Sequence, residues 1–244
     1  MYTIIELRKN KVIDYAASEL KKYLRMMMVE AGEIPIKHGT LEDKGFKLGL
    51  FEDFGLDLSE AEIPEYDDII HIDTDDRGGT IAGSNPRSVL LAVYRFLQEN
   101  GCRWFRPGVD GEYIPLQVVK GVKYHKKAAY RHRGKCIEGA VSQQNMLDNI
   151  EWAPKVGLNS YMLEFKVPYI FYDRWYSHRD NKHKRSERIT VETVKQYKVA
   201  LETEISKRGL IYNDMGHGWT CEPFGIEGIG WDKEKLDIPD DIKQ

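Results

Sequence analysis

Three short segments in the second half of the chain end in residues equipped for chemistry: Glu138-Gly139, Glu164-Phe165-Lys166, and Asp214-Met215-Gly216-His217-Gly218-Trp219. Each closes a short apolar run that reads as a strand, over Lys135–Ile137, Asn159–Phe165 and Leu210–Met215. Carboxylates at strand ends accept hydrogen bonds from sugar hydroxyls or act as general acid and base. A histidine flanked by glycines has no neighbours to pack it, so His217 is suited to bonding a ligand, and the glycines let that ligand approach the backbone. Trp219, beyond the strand, offers a flat platform for a sugar face. Structural readings stand beside these: Glu138 can pair with Lys135 and Glu164 with Lys166. Asp214 can point to the opposite side of its strand and bond a neighbouring loop.

The elements that must position these residues alternate. Ser142 caps a predicted helix through Met146, Leu147 and Ile150 that Gly157 stops; Thr190 caps another through Val194, Tyr197, Leu201 and Ile205 that Gly209 stops. The two units end alike, as Lys155-Val156-Gly157-Leu158-Asn159-Ser160-Tyr161 and Lys207-Arg208-Gly209-Leu210-Ile211-Tyr212. A glycine cap feeding a parallel strand is the grammar of a βα barrel or a doubly wound sheet, whose ligands bind beyond the carboxyl ends of the strands. Three strands and two helices cannot close an eight-stranded barrel, so the expected fold class is α/β with a truncated barrel. The stretch from Val167 to Ile189 is long for a βα loop, and its aromatic start suits a segment folded over the mouth of a barrel. His178, Asp180 and His183 fit no zinc spacing, and Arg179, Lys182, Lys184 and Arg185 repel a cation. No metal is expected there. With no GxGxxG, Walker or GxSxG motif, no cofactor is expected either.

The first half reads as a smaller α/β layer. A strand over Thr3–Leu7 precedes a helix capped by Asp14, with Ala17, Leu20, Leu24, Met27 and Met28 on its apolar stripe. Strands are expected over Phe46–Phe51, Ile69–Asp73 and Gly78–Gly83. Ser84-Asn85-Pro86 starts a second helix through Val89, Leu90, Val93, Phe96 and Leu97; Gly101 ends it and a strand leaves over Cys102–Gly108. Lys120, Lys123, His125, Lys126 and Lys127 read as a basic, solvated connector. The expected domains are residues 1–125, an accessory layer, and 126–244, a partial barrel.

Composition removes several functions. The 244 residues are 41% hydrophobic and 31% charged, which excludes disorder. Thirty-six basic against 39 acidic residues leave a net charge of −3, so no field favours nucleic acid or an anionic membrane. Cys102, Cys136 and Cys221 form no CxxC pair and are expected to be reduced. The amino-terminal residues lack an apolar signal core, which makes the cytoplasm the expected location.

Two stretches resemble known families. Ile81-Ala82-Gly83-Ser84-Asn85-Pro86-Arg87-Ser88-Val89-Leu90-Leu91 with Gly101-Cys102-Arg103-Trp104-Phe105-Arg106-Pro107-Gly108 resembles the amino-terminal α/β domain that precedes the barrel in α-glucuronidases and β-N-acetylhexosaminidases. The helix around Ala16-Ala17-Ser18-Glu19-Leu20 is similar to that domain's first helix. From Arg133-Gly134-Lys135-Cys136-Ile137-Glu138-Gly139 to His217-Gly218-Trp219-Thr220-Cys221-Glu222-Pro223 the chain resembles the opening of the barrel in a related bacterial family known only as a domain of unknown function. The resemblance implies a glycoside hydrolase acting on a carbohydrate, with the general acid at a later strand, beyond residue 244. It makes Glu138, Glu164, Asp214 and His217 substrate-orienting residues, and within it Lys166 or Arg174 binds a carboxylate and Trp175 or Trp219 stacks on a pyranose ring. Two rival readings remain open: Glu138, Glu164 and Asp214 as ligands of a divalent ion, or a carbohydrate-binding protein without turnover. Open sheet edges after the third strand are expected to drive homodimerisation.

Overall fold

The structure is a computed structural model that describes residues 2–137 and 142–215. The chain divides into two compact units. One comprises residues 1–133, 151–159 and 207–210; the other comprises 134–150, 160–206 and 211–244.

The first unit is built on a mixed six-stranded sheet. Its strands are β1 (Ile4–Glu6), β2 (Ile36–His38), β3 (Phe46–Leu50), β4 (Ile69–Thr74), β5 (Gly79–Gly83) and β8 (Lys123–Lys127), in the order β2-β1-β3-β5-β4-β8. The first four in that order run parallel; β4 lies antiparallel to both β5 and β8. Helices α1 (Lys11–Met27) and α2 (Pro86–Glu99) share one core with Ile4, Phe46, Leu48, Ile72 and Ile81 of the sheet. Residues β6 (Arg103–Trp104) and β7 (Glu112–Tyr113) form a small hairpin. Gly83 allows α2 to close on β5, since a Cβ there would lie 2.4 Å from the amide nitrogen of Val89.

Local chemistry explains where the elements begin. Asn85 accepts from the Ser88 amide at 2.9 Å ahead of Pro86, as its sequence position suggests. The first helix instead begins earlier than expected: Asn10, not Asp14, is the cap, accepting from Val12 N at 2.9 Å. Asp14 lies within the first turn, where a carboxylate complements the helix dipole. Met27 and Met28 are buried and Met26 is exposed, so two of the three methionines face the core. The strand expected over Cys102–Gly108 shortens to β6, because Pro107 and a left-handed Gly108 at φ 90° turn the chain. The basic connector is corrected to a strand: β8 pairs along its whole length with β4, and lysines on an edge strand keep it soluble. The domain boundary expected after residue 125 therefore falls inside β8.

A buried carboxylate organises this unit. Asp68, 3% exposed, accepts from Arg87 Nε at 3.0 Å, Arg133 at 2.7 Å, Ser88 Oγ at 2.9 Å and Asn159 Nδ2 at 2.7 Å. Asn159 also bonds the Arg131 carbonyl at 2.7 Å and accepts from the Arg133 amide at 2.8 Å. Arg87 continues to the Gly209 carbonyl at 3.3 Å, and Gly209 holds a φ of 62° that favours glycine. Neighbouring Asp67 is held by Arg131 at 2.6 Å.

The second unit contains β9 (Gly134–Ile137), β10 (Ser160–Glu164) and β11 (Ile211–Met215), all parallel, in the order β11-β10-β9. Its helices are α3 (Gln143–Lys155), α4 (Tyr169–Tyr176) and α5 (Val191–Lys207), with the ends of α3 and α5 belonging to the first unit. Ser142 accepts from Asn145 N at 3.1 Å and Thr190 from Thr193 N at 3.2 Å, the two caps read from the sequence. The loop expected from Val167 to Ile189 contains α4, because Tyr172 and Tyr176, four residues apart, present one apolar face. The observed class is mixed α/β with a small parallel sheet; closure into a barrel is not seen among the described residues. Among those residues no helix is long and apolar enough to cross a membrane.

Replacing Asp68 with alanine strands two guanidinium groups, and urea denaturation is expected to show a loss of about 3–5 kcal/mol. Burial pushes the Asp68 pKa up, but Arg87 and Arg133 outweigh it, so the folded value lies below the ordinary 3.8; hydrogen bonds from Arg131 and the Ile63 amide lower that of Asp67. A depressed carboxyl pKa stabilises the fold above its unfolded value, and that stability drains away as pH falls through the folded value. Melting temperature should therefore hold on the neutral side of about pH 4 and fall below it, and Asp68→Asn should flatten that fall.

Candidate functional site

Strand parity decides which chemistry the second unit can present. In the register, Lys135, Tyr161 and Tyr212 are paired neighbours, as are Leu163 and Asp214. Side chains alternate along a strand, so Lys135, Tyr161, Leu163, Tyr212 and Asp214 share one face while Cys136, Met162, Glu164 and Asn213 share the other. The first face is the one covered by helices. Lys135 donates to Asn149 of α3, Tyr212 OH to Glu202 of α5 at 3.1 Å, and Lys198 of α5 to Asp214 at 3.0 Å. The opposite face carries exposed Cys136 and Asn213 with half-buried Met162 and Glu164.

The strand-end residues consequently do not all converge. Asp214 is tied to the helix side by Lys198, a residue 7% exposed whose ammonium also donates to the carbonyls of Phe165 at 2.9 Å and Lys166 at 3.0 Å. Burial and the adjacent carboxylates of Asp214 and Glu202 push the Tyr212 pKa well up, while burial alone lowers that of Lys135. Glu164 faces the other way, and Lys166, two residues later, is half-buried. Glu138, His217 and Trp219 lie outside the described residues.

Lys198 is the residue that sequence reasoning passed over. It occupies the buried stripe Val194, Lys198, Leu201 and Ile205, a lysine where the helical period calls for an apolar residue. Tyr197 had been assigned to that stripe; it instead packs against Tyr172 and Tyr176 at 5.5 and 6.4 Å. A second unread feature is Phe165, non-glycine with a φ of 69°, its ring 4.7 Å from that of Phe171. A left-handed phenylalanine is strained, and the Lys198 bond to its carbonyl fixes the chain at the end of β10.

The aromatic segment closes over the first turns of the helices. Tyr172 OH donates to Gln143 Oε1 at 2.8 Å, and Gln143 reaches the Tyr197 carbonyl at 3.1 Å. Beyond this, exposed Arg174 and Trp175 share a surface hollow of about 420 Å³ with His178, Arg179 and Lys184. His178 bonds Glu187 at 3.0 Å, and Arg179 lies 3.6 Å from Asp173. Among the described residues no group of three or more histidine, cysteine or acidic side chains is gathered as a metal site. Glu164 and Asp214 themselves point to opposite faces, so these two do not share an ion.

Substituting Lys198 by methionine leaves Asp214 and two carbonyls without their buried donor. Chemical denaturation should show a loss of about 3–5 kcal/mol, and pairing it with Asp214→Asn should recover part of that loss.

No family model matches the sequence, and no curated protein matches it. Solved structures share the fold. A GH138 enzyme targeting pectin rhamnogalacturonan II superposes with a TM-score of 0.54 at 13% identity, covering 93% of this chain and 26% of its own. The GH20 β-N-acetylhexosaminidase from Streptomyces coelicolor A3(2) superposes with a TM-score of 0.54 at 16% identity, covering 88% of this chain and 41% of its own. The chain thus spans well under half the length of either enzyme, and its fold is that of the matching regions of these glycoside hydrolases.

Proposed function

We propose that this chain is the leading part of a carbohydrate-active hydrolase, an α/β accessory domain followed by the first three βα units of a (β/α)8 barrel. The observation that carries this reading is the small sheet: parallel strands in chain order, with described helices against one face and Glu164 on the other at a carboxyl end. Barrel enzymes hold ligands at the carboxyl ends of their strands, the end that Glu164 occupies on β10. The fold shared with two glycoside hydrolases supports it.

In this reading Glu164 accepts hydrogen bonds from sugar hydroxyls, a role that Glu138 and His217, outside the described residues, would share. Lys166 or Arg174 meets a carboxylate, and Trp175 or Trp219 stacks on a ring. Asp214, held by Lys198, positions the end of β11 rather than touching the substrate. Hydrolysis needs a general acid and a second carboxyl group, or a substrate acetamido group in its place. Glu164 supplies at most one of these, so in this reading the remainder lies outside the described residues, and the 244-residue chain alone binds without turnover.

A panel of chromogenic glycosides, including glucuronides and N-acetylhexosaminides, tests this with the full-length gene product beside the 244-residue chain. Turnover by the longer protein only is expected. Glu164→Gln should lower kcat/KM about 10- to 100-fold, the loss of a charge-assisted hydrogen bond. Neither turnover nor sugar binding by either protein would overturn the proposal, whereas binding without turnover by both would favour a lectin-like role. Among the described residues no strand pairs with the outer edge of β9 or β11, and in this reading the 244-residue chain self-associates there, so sedimentation should show a species heavier than 28.3 kDa.

A further inference from the structure

On the sheet face of the first unit opposite α1 and α2, His71 of β4 and His125 of β8 stand directly across from each other in the antiparallel register. Their Nδ1 atoms are 3.2 Å apart and their ring centroids 5.4 Å apart, with planes inclined at 65°. The other nitrogen of His125, Nε2, lies 3.3 Å from the Glu60 carboxylate. A carboxylate only accepts, so Nε2 carries the proton and the Nδ1 lone pair of His125 accepts from His71 Nδ1–H; that proton passes to Nε2 of His71 when both Nδ1 atoms bind a metal. The ring of Phe51 lies beside both histidines, with centroids 6.5 and 6.1 Å away. The nearest lysines are engaged elsewhere: Lys127 donates to the Glu60 carbonyl at 2.7 Å, and Lys123 faces Asp73 at 3.5 Å.

We propose that His71 and His125 form a two-nitrogen binding site for a divalent transition-metal ion of the zinc type, with Glu60 orienting His125. Tetrahedral zinc with bonds of about 2.0–2.1 Å holds two nitrogen ligands roughly 3.3 Å apart, the separation these two already have. Imidazole nitrogen suits Zn²⁺, Ni²⁺ and Cu²⁺ rather than Mg²⁺ or Ca²⁺. The Glu60–His125 contact is the outer carboxylate that metal-binding histidines recruit to fix tautomer and ring orientation. No third protein ligand is gathered there among the described residues, so water completes the coordination. Bound metal clamps the edge strand β8 to β4, and through Glu60 it ties down the segment that leads to β4.

The test is calorimetric titration of Zn²⁺ into the 244-residue chain, with melting temperature followed in parallel. One Zn²⁺ per chain and a rise of several degrees at saturation are expected. His71→Gln and His125→Gln should each weaken binding by about ten-fold or more, and Glu60→Gln by about ten-fold. Imidazole ¹⁵N resonances of both histidines should shift on adding the ion. Because the sequence has seven histidines, binding that survives both histidine substitutions would place the ion elsewhere and overturn the site. Absence of binding at millimolar Zn²⁺ would do so too. Should His71→Gln fail to fold, His125→Gln on the exposed edge strand still decides the matter, since it replaces a solvent-facing side chain.

Discussion

The first unit depends on keeping one carboxylate charged in a dry place. Asp68 sits where solvent cannot reach it, and an ionised group there is tolerated only because two guanidinium groups, a hydroxyl and an amide surround it. Those donors come from the start of α2, from the chain leaving β8 and from the turn before β10. The network therefore specifies position more than it adds stability: each donor has one place where its bond is complete. Replacing such a set with apolar residues is often neutral in free energy, but the apolar version accepts several registers where the charged one accepts one. The close approach of α2 at Gly83 works toward the same end, since it leaves no room for α2 to slide on β5.

How much of this the residues announce depends on distance along the chain. Asn85-Pro86, Ser142 and Thr190 act on amides two or three residues away, and each starts its helix where local chemistry says it must. The strands β3, β4, β5, β10 and β11 are legible for the same reason, through short apolar runs. What escapes is set by partners far away. Lys123–Lys127 carries no apolar alternation, and only β4 beside it makes it a strand. The three residues of β2 are too few to show a period. Arg133 and Asn159 look like ordinary turn residues until Asp68 is placed between them.

The candidate site was partly legible in the same sense. Strand ends rich in polar residues could be found from spacing, but not the face each one takes, because a shift of one residue reverses the parity of a whole strand. Asp214 and Glu164 appear equivalent in the sequence and are opposite in the sheet. The buried Lys198 is what separates them: it recruits Asp214 and two strand-end carbonyls to the helix layer, while Glu164 stays on the opposite face. A lysine in an apolar stripe was the one available signal of this division of labour.

The first unit borrows two short pieces of chain, residues 151–159 and 207–210, from long after its own sheet is complete. The Asn159–Asp68 bond spans 91 residues and the Arg87–Gly209 bond spans 122. During synthesis, the sheet and its two helices emerge from the ribosome well before the residues that satisfy Asp68 and Arg87. The unit is complete only once those later residues have been made. Long-range closures of this kind slow folding. A cut after residue 133 would release a sheet without the pieces that complete it, so this unit is not a module that can be moved between proteins by simple exchange of a contiguous gene segment.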